Sequence, residues 1–171
     1  THSTSVGQPM SDEEVRGTML MVLQNAGRGY SGVRLETLSR YKDFLNMNLI
    51  PYAPKEGSVG YLAPEAHIAL AVMGEGKMIH EGQIVDAISI LKKHGLGEYE
   101  LSYKEGLILV SGTTGVTAMA AIALYDIIKA VKTADIIGAM TLEVAKGTVR
   151  AFDERLMSVR GHKEQQETAE N

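Results

Sequence analysis

The stretch Gly57-Ser58-Val59-Gly60-Tyr61-Leu62-Ala63-Pro64-Glu65-Ala66-His67 holds the residues whose order could do chemistry. Glycines and a serine run into a proline-bearing helix start, which exposes backbone amides at the positive end of a helix dipole. On the residues alone this is either an anion-binding turn or a tight connection. A second glycine run, Gly27-Arg28-Gly29-Tyr30-Ser31-Gly32, has the G-x-G-x-x-G spacing of dinucleotide sites. That chemistry requires a strand before the first glycine. An amphipathic helix precedes it here, so the run reads as a turn. His67, His80, His94 and His162 lack paired metal-ligand spacing, and His80-Glu81 lacks the second histidine of a zinc-binding helix. No metal is expected. His67, beside small apolar residues on a helix, is expected to be a hydrogen-bonded structural histidine. Ser39-Arg40-Tyr41-Lys42 has S-x-x-K spacing without the companion motifs of that chemistry, and reads as a solvated helix face.

These residues need elements to hold them. Ser11-Asp12-Glu13-Glu14 has the form of a capping box. The helix it opens carries Val15, Met19, Val22 and Ala26 on one stripe and should stop near Gly27. A second helix is predicted over residues 35–45, after which Pro51 and Pro54 force an extended segment. A helix should run from the Leu62-Ala63-Pro64 start through Val72. Residues 77–79 and 83–84, flanking His80-Glu81-Gly82, read as a short hairpin. A further helix is expected over 86–94, with Gly95 as its stop. From Val116 the pattern changes: Val116, Ala120, Ala123, Ile127, Ala130, Ala134, Ile137, Thr141, Val144 and Thr148 alternate steps of four and three. That seam lasts about nine turns, and its small side chains suit a tightly packed bundle. Lys132-Thr133-Ala134-Asp135, with Thr133 as a cap, leaves open whether one helix or two carries it. Residues 163–171 are polar and without periodicity.

Composition narrows the function classes. The chain has 171 residues, 44% of them hydrophobic and 22% charged, as in an ordinary globular protein with a real core. A net charge of -4 and a pI near 5.7 argue against nucleic-acid or anionic-membrane partners. No cysteine is present, which removes disulfides, thiolate metal sites and a cysteine nucleophile, and is compatible with a reducing cytoplasm, the expected compartment. The longest apolar run, around residues 118–124, is too short to span a bilayer, and no signal peptide is visible. The absence of an initiator methionine at Thr1 suggests that upstream residues belong to the same protein.

Several blocks now make sense together. Arg28-Gly29-Tyr30-Ser31-Gly32-Val33-Arg34, Leu45-Asn46-Met47-Asn48-Leu49-Ile50-Pro51, the Gly57-Ser58-Val59-Gly60 segment with Leu62-Ala63-Pro64, and Lys104-Glu105-Gly106-Leu107 with Gly112-Thr113 resemble, in order and spacing, the aromatic amino acid ammonia-lyases. The resemblance covers nearly the whole chain. It implies a mainly α fold, a helical bundle of the ammonia-lyase/fumarase-like type with a short β-hairpin, of which residues 1–171 are an internal fragment. Within it, 1–56 would be N-terminal helices and 57–115 the electrophile loop, helix, hairpin and Glu-Gly-Leu block. Residues 116–160 would form long bundle helices and 161–171 a polar tail.

The chemistry implied by the resemblance is loss of ammonia from an aromatic L-amino acid to give an unsaturated acid. The family's self-derived cofactor is MIO (4-methylidene-imidazole-5-one), made by cyclisation of an Ala-Ser-Gly tripeptide. It adds the substrate amine while a basic tyrosine removes the β-proton. Three features depart from the family pattern. Gly60 runs directly into Tyr61, where the tripeptide belongs. Ser111 replaces the family's asparagine before Gly-Thr, and the chain stops before the downstream block of the catalytic tyrosine and carboxylate-binding arginine. The favoured reading of the first is that the matured electrophile, a single non-standard residue, stands between Gly60 and Tyr61. The other is a true absence, as in relatives that expel an already good leaving group. The resemblance places Gly60, Tyr61 and Ser111 beside the electrophile and His2, Leu62 and Leu107 at the substrate. His2, second in the pair Thr1-His2, tilts the substrate toward a polar ring, histidine or tyrosine. A homotetramer or complementing chain is the implied assembly. The alternatives are a 2,3-aminomutase, an MIO-free lyase of an activated amine, and a non-catalytic assembly fragment.

Overall fold

The structure, a computed structural model, describes residues 5–56 and 63–171. It divides into two compact units, Thr1–Ile122 and Ala123–Asn171. The first holds the core and all the described strands. After β1 (Val6–Pro9), α1 (Asp12–Ala26) opens on the expected capping box: Ser11 Oγ accepts the Glu14 amide, and the Glu14 carboxylate accepts the Ser11 amide. Lys55 holds the same carboxylate at 2.9 Å. The stripe Val15, Met19, Val22 and Ala26 is buried, as its spacing requires. Ser11→Ala should therefore lower the unfolding free energy by about 1 kcal/mol, measurable by denaturant titration, with no change in the far-ultraviolet spectrum.

α2 (Leu35–Asn46) packs against α1 and leads into β2 (Ile50–Pro51) and β3 (Pro54–Glu56), the extended segment that the prolines dictate. β3 pairs antiparallel with β1. α3 (Ala63–Met73) is followed by β4 (Lys77–His80) and β5 (Gln83–Asp86). The hairpin closes through Glu81 and Gly82, both at positive φ (50° and 77°), the geometry of a two-residue primed turn. It is more than a hairpin, because β2 adds to β4 and makes a three-stranded sheet. The N-terminal segment expected to be helical thus supplies three strands as well. α4 (Ala87–Lys93) ends at Gly95, whose φ of 73° suits glycine. Tyr41, Phe44, Met19, Ile68, Met78, Leu91 and Leu109 fill the centre of the core.

α5 (Glu105–Val110) and α6 (Thr114–Val144) follow. α6 is one unbroken helix: Thr133 does not cap a break but donates its hydroxyl to the Lys129 carbonyl, four residues back. It stops before Thr148, which instead caps a 3-10 turn, Val149–Phe152. The seam lies bare in this chain, with Val116, Ile127, Ile137 and Val144 all exposed. From Ala123 onward no described residue is buried. The apolar stretch is also longer than the expected run, because Leu107-Ile108-Leu109-Val110 and Val116 precede it. The helical segment Glu105–Val144 is long and apolar enough to cross a membrane by length and composition, with a best-window mean hydropathy of 1.9. Asp126, Lys129, Lys132 and Asp135 interrupt its middle, which hydrocarbon would penalise and a protein-facing bundle helix tolerates.

The unit Ala123–Asn171 ends with α7 (Glu154–Arg160) and α8 (Lys163–Glu170). α8 lies in the tail that showed polarity without periodicity. Its residues are strong helix formers, and Lys163 pairs with Glu167 one turn on, but without an apolar stripe the periodicity is silent.

Candidate active site

Of the residues singled out in the sequence, His2, Gly60, Tyr61 and Leu62 lie outside the described residues. Leu107 is on α5 and Ser111 at its end. Ser111 is the C-cap, half-buried, and its amide donates to the Leu107 carbonyl at 2.8 Å. Ser111 stands four residues on from Leu107, just past the end of α5 in extended backbone (φ -109°, ψ 127°). Leu107 is 64% exposed, so in this chain it projects from the surface rather than lining an enclosed pocket.

The N-terminal turns of α3 and α6 meet where the chain leaves Ser111 for α6. Glu65, in the first turn of α3, accepts the Gly115 amide at 3.0 Å through Oε1. Two helix N-termini, that of α3 and that of α6 after Ser111-Gly112-Thr113, are thus joined by one contact, and each is the positive end of its helix. A cavity of about 430 Å³ adjoins the same turn, lined by Met21, Gln24, Asn25 and Arg28 of α1 and its exit, and by Gly112, Thr113, Thr114 and Thr117.

What fixes α5 is a buried ionic cluster that sequence inspection missed. Glu105 is 1% exposed. Its Oε1 accepts the Arg34 amide (2.8 Å), Arg34 Nε (3.2 Å) and Thr37 Oγ1 (2.6 Å). Its Oε2 accepts Arg34 Nη2 (2.8 Å), Arg34 Nε (3.1 Å) and the Ser102 amide (2.7 Å). Because the Thr37 hydroxyl spends its proton on the carboxylate, Tyr99 Oη must donate to Thr37 Oγ1, 2.7 Å away. The Tyr99 ring lies beside both Arg34 and Arg40, whose guanidinium carbons are 5.4 and 5.3 Å from its centroid. Arg40 Nε donates to the Val72 carbonyl at 2.6 Å and Nη2 to the Gly97 carbonyl. Burial pushes the Glu105 carboxyl up, but Arg34, Thr37 and the two amides outweigh it and hold it at about 2.

The cluster joins the Arg28–Arg34 block to the Lys104–Leu107 block across the fold. A charge opening an otherwise apolar helix, Glu105 before Gly-Leu-Ile-Leu-Val, was the available signal. The same cluster corrects the solvated reading of Ser39–Lys42: Lys42 faces water, but Arg40 and Tyr41 are buried. The Gly27–Gly32 run is the expected turn, with Gly29 and Gly32 at positive φ (84° and 68°) after α1. His67 differs from expectation. Among the described residues its Nε2 is buried without a hydrogen-bond partner, and burial lowers its pKa, favouring the neutral ring.

Comparison with known proteins decides what this geometry belongs to. The profile of the aromatic amino acid lyases matches residues 1–171. The chain belongs to the aromatic amino acid lyase family. Histidine ammonia-lyase of Alkaliphilus metalliredigens is 42% identical over all of this chain and 34% of its own length. The crystal structure of histidine ammonia-lyase from Trypanosoma cruzi superposes with a TM-score of 0.93 at 35% identity, over 98% of this chain and 34% of that one. Ergothionase of Treponema denticola, an ergothioneine-degrading enzyme, gives a TM-score of 0.88 at 34% identity, over 99% of this chain and 34% of that one. The chain therefore spans about a third of the length of the curated relatives it matches.

The mainly helical lyase fold expected from the motif blocks is the fold observed. Family membership brings the MIO group into question, and here the residues do not furnish it. The group is made from an Ala-Ser-Gly of the chain itself, and no Ala-Ser-Gly occurs in the sequence. The alignment to the Alkaliphilus lyase runs over 174 positions, three more than the 171 residues of this chain.

Proposed function

We propose that the protein is a carbon–nitrogen lyase that eliminates ammonia from an aromatic L-amino acid, histidine or tyrosine, to give the unsaturated acid. The observation that carries this reading is the agreement of the whole chain, α3, α5 and α6 included, with histidine ammonia-lyases in sequence and structure. Elimination breaks the Cα–N bond and one Cβ–H bond and forms a Cα=Cβ bond. The proton goes to a base and the electron pair of the C–N bond leaves with the amine. This chain's part is to hold Leu107 of α5 and Ser111 at its end on the same scaffold as the joined first turns of α3 and α6, whose positive ends favour a substrate carboxylate or developing negative charge. Ser111 offers a shorter hydrogen-bonding arm than an asparagine there. Cytoplasmic residence and a homotetramer belong to the same proposal. The exposed seam of α6 supports the assembly, since apolar stripes of that length are covered in stable proteins.

The direct Gly60–Tyr61 junction favours a second reading, an MIO-free lyase of an amine already activated for departure, such as a trimethylammonium group. A neutral tertiary amine leaves without prior addition to an electrophile, so no tripeptide is needed. The similarity to ergothionase is consistent with it. Incubation of the protein with L-histidine, L-tyrosine and their N-trimethylated counterparts separates the readings. Ultraviolet absorbance of an unsaturated acid from the free amino acids is the expected result. Turnover of the trimethylated compounds alone selects the second reading. A β-amino acid product would mark a 2,3-aminomutase, and no turnover at all would leave an assembly fragment.

A further inference from the structure

The ionic cluster around Glu105 explains how α5 is held, but not what sets α3 against α6, the two helices whose N-termini face the site. One buried carboxyl bridges them. Glu65 is 3% exposed, lies in the first turn of α3, and reaches the Gly115 amide in the first turn of α6. Gly115 is glycine for a steric reason. A Cβ there would lie 2.6 Å from Glu65 Oε1 and 3.2 Å from Cδ, so the carboxyl would have to swing away from the Gly115 amide. Such a carboxyl is costly for the fold. Among the described residues its second oxygen, Oε2, is buried without a partner, as is the hydroxyl of Tyr41 on α2, and burial raises the pKa of both groups. A leucine or alanine in the same place would have packed without that cost. A costly polar contact between two helix starts, each adjoining a segment that the family places at the reacting centre, has the character of a functional constraint.

We propose that Glu65 is a positioning residue: its carboxyl clamps the first turn of α3 to the first turn of α6, fixing the start of α3 relative to Ser111, and Gly115 is the residue that admits it. The inference rests on the lyase reading above and deepens it. Glu65 touches no substrate in this account. It acts through the two helices, so its loss misplaces groups rather than removing one.

The test is a set of variants in the full-length protein, read by steady-state elimination kinetics and thermal unfolding. Gly115→Ala expels the carboxyl, and should lower kcat about 10- to 100-fold while KM moves by no more than about 3-fold. Glu65→Ala should do the same. Glu65→Gln keeps a carbonyl oxygen for the Gly115 amide and removes a buried charge. It should hold kcat within about 3-fold of wild type, with an unfolding temperature equal or higher. The double variant Gly115→Ala, Glu65→Ala should be no slower than either single one, because both remove the same contact. A fully active Gly115→Ala protein, or additive losses in the double variant, overturns the clamp and leaves the lyase reading standing. A wild-type protein that cleaves no carbon–nitrogen bond overturns the lyase reading, and the positioning role with it.

Discussion

Glu105→Gln should destabilise the protein by about 2 kcal/mol at neutral pH, and remove most of its loss of stability in acid. The carboxylate takes six hydrogen-bond contacts from Arg34, Thr37 and Ser102. Glutamine offers one acceptor oxygen and turns an amide toward donors, so several buried N–H and O–H groups lose their partner. The figure is held below the full cost of the shift because the Arg34 side chain is 42% exposed and water screens the pair. The pH dependence has a definite sign. Folding lowers the Glu105 carboxyl from 4.5 to about 2, so the unfolded chain takes up the proton first as pH falls. The contribution is complete above pH 4.5 and is lost progressively down through pH 2. Denaturant titrations across that interval should converge for wild type and Glu105→Gln at the acid end. Parallel curves would show that Arg34 and Glu105 are not energetically paired in the folded state.

Gly76→Ala has the other large effect, by a steric route. Gly76 closes the turn between α3 and β4: its amide donates to the Leu70 carbonyl, and its carbonyl accepts the Ala87 amide. A Cβ would lie 2.5 Å from the Ala71 nitrogen and 2.9 Å from the Ala71 Cα. These are backbone atoms of a helix and cannot swing aside as a side chain can. The turn must open, at a cost of about 3 kcal/mol and a fall of roughly 10 °C in unfolding temperature. Gly97→Ala is the control. Its Cβ meets nothing within 4 Å, and it should change stability by less than about 0.5 kcal/mol. Equal effects at the two positions would mean that the close approach at Gly76 is relieved by movement of α3.

Both effects show where sequence reasoning stops. α1 is legible because its cap and apolar stripe are local: Ser11 reads Glu14, and Val15, Met19, Val22 and Ala26 recur at the helical period. The β4–β5 turn is legible for the same reason, in Glu81-Gly82. α8 is not, because a helix with no apolar face leaves no periodic trace. Thr133 misleads because a hydroxyl that caps a helix start can equally bond back within one. The motif blocks locate the site by resemblance, yet its scaffold of Arg34 with Glu105 and Glu65 with Gly115 joins residues far apart in the chain. No local pattern encodes such a pair. Each partner looks like an ordinary surface charge or a turn glycine until the fold brings it to the other. Leu107 shows the reverse, a residue assigned to a pocket that this chain alone leaves facing outward.

The most direct measurement is the product balance of the full-length protein with whichever aromatic amino acid, free or N-trimethylated, it consumes. Elimination predicts one free amine and one Cα=Cβ product for every substrate lost, with no oxygen taken up. Amine released together with a keto acid, or substrate returned unchanged from every member of that set, would contradict a carbon–nitrogen lyase built on the helix starts of α3 and α6.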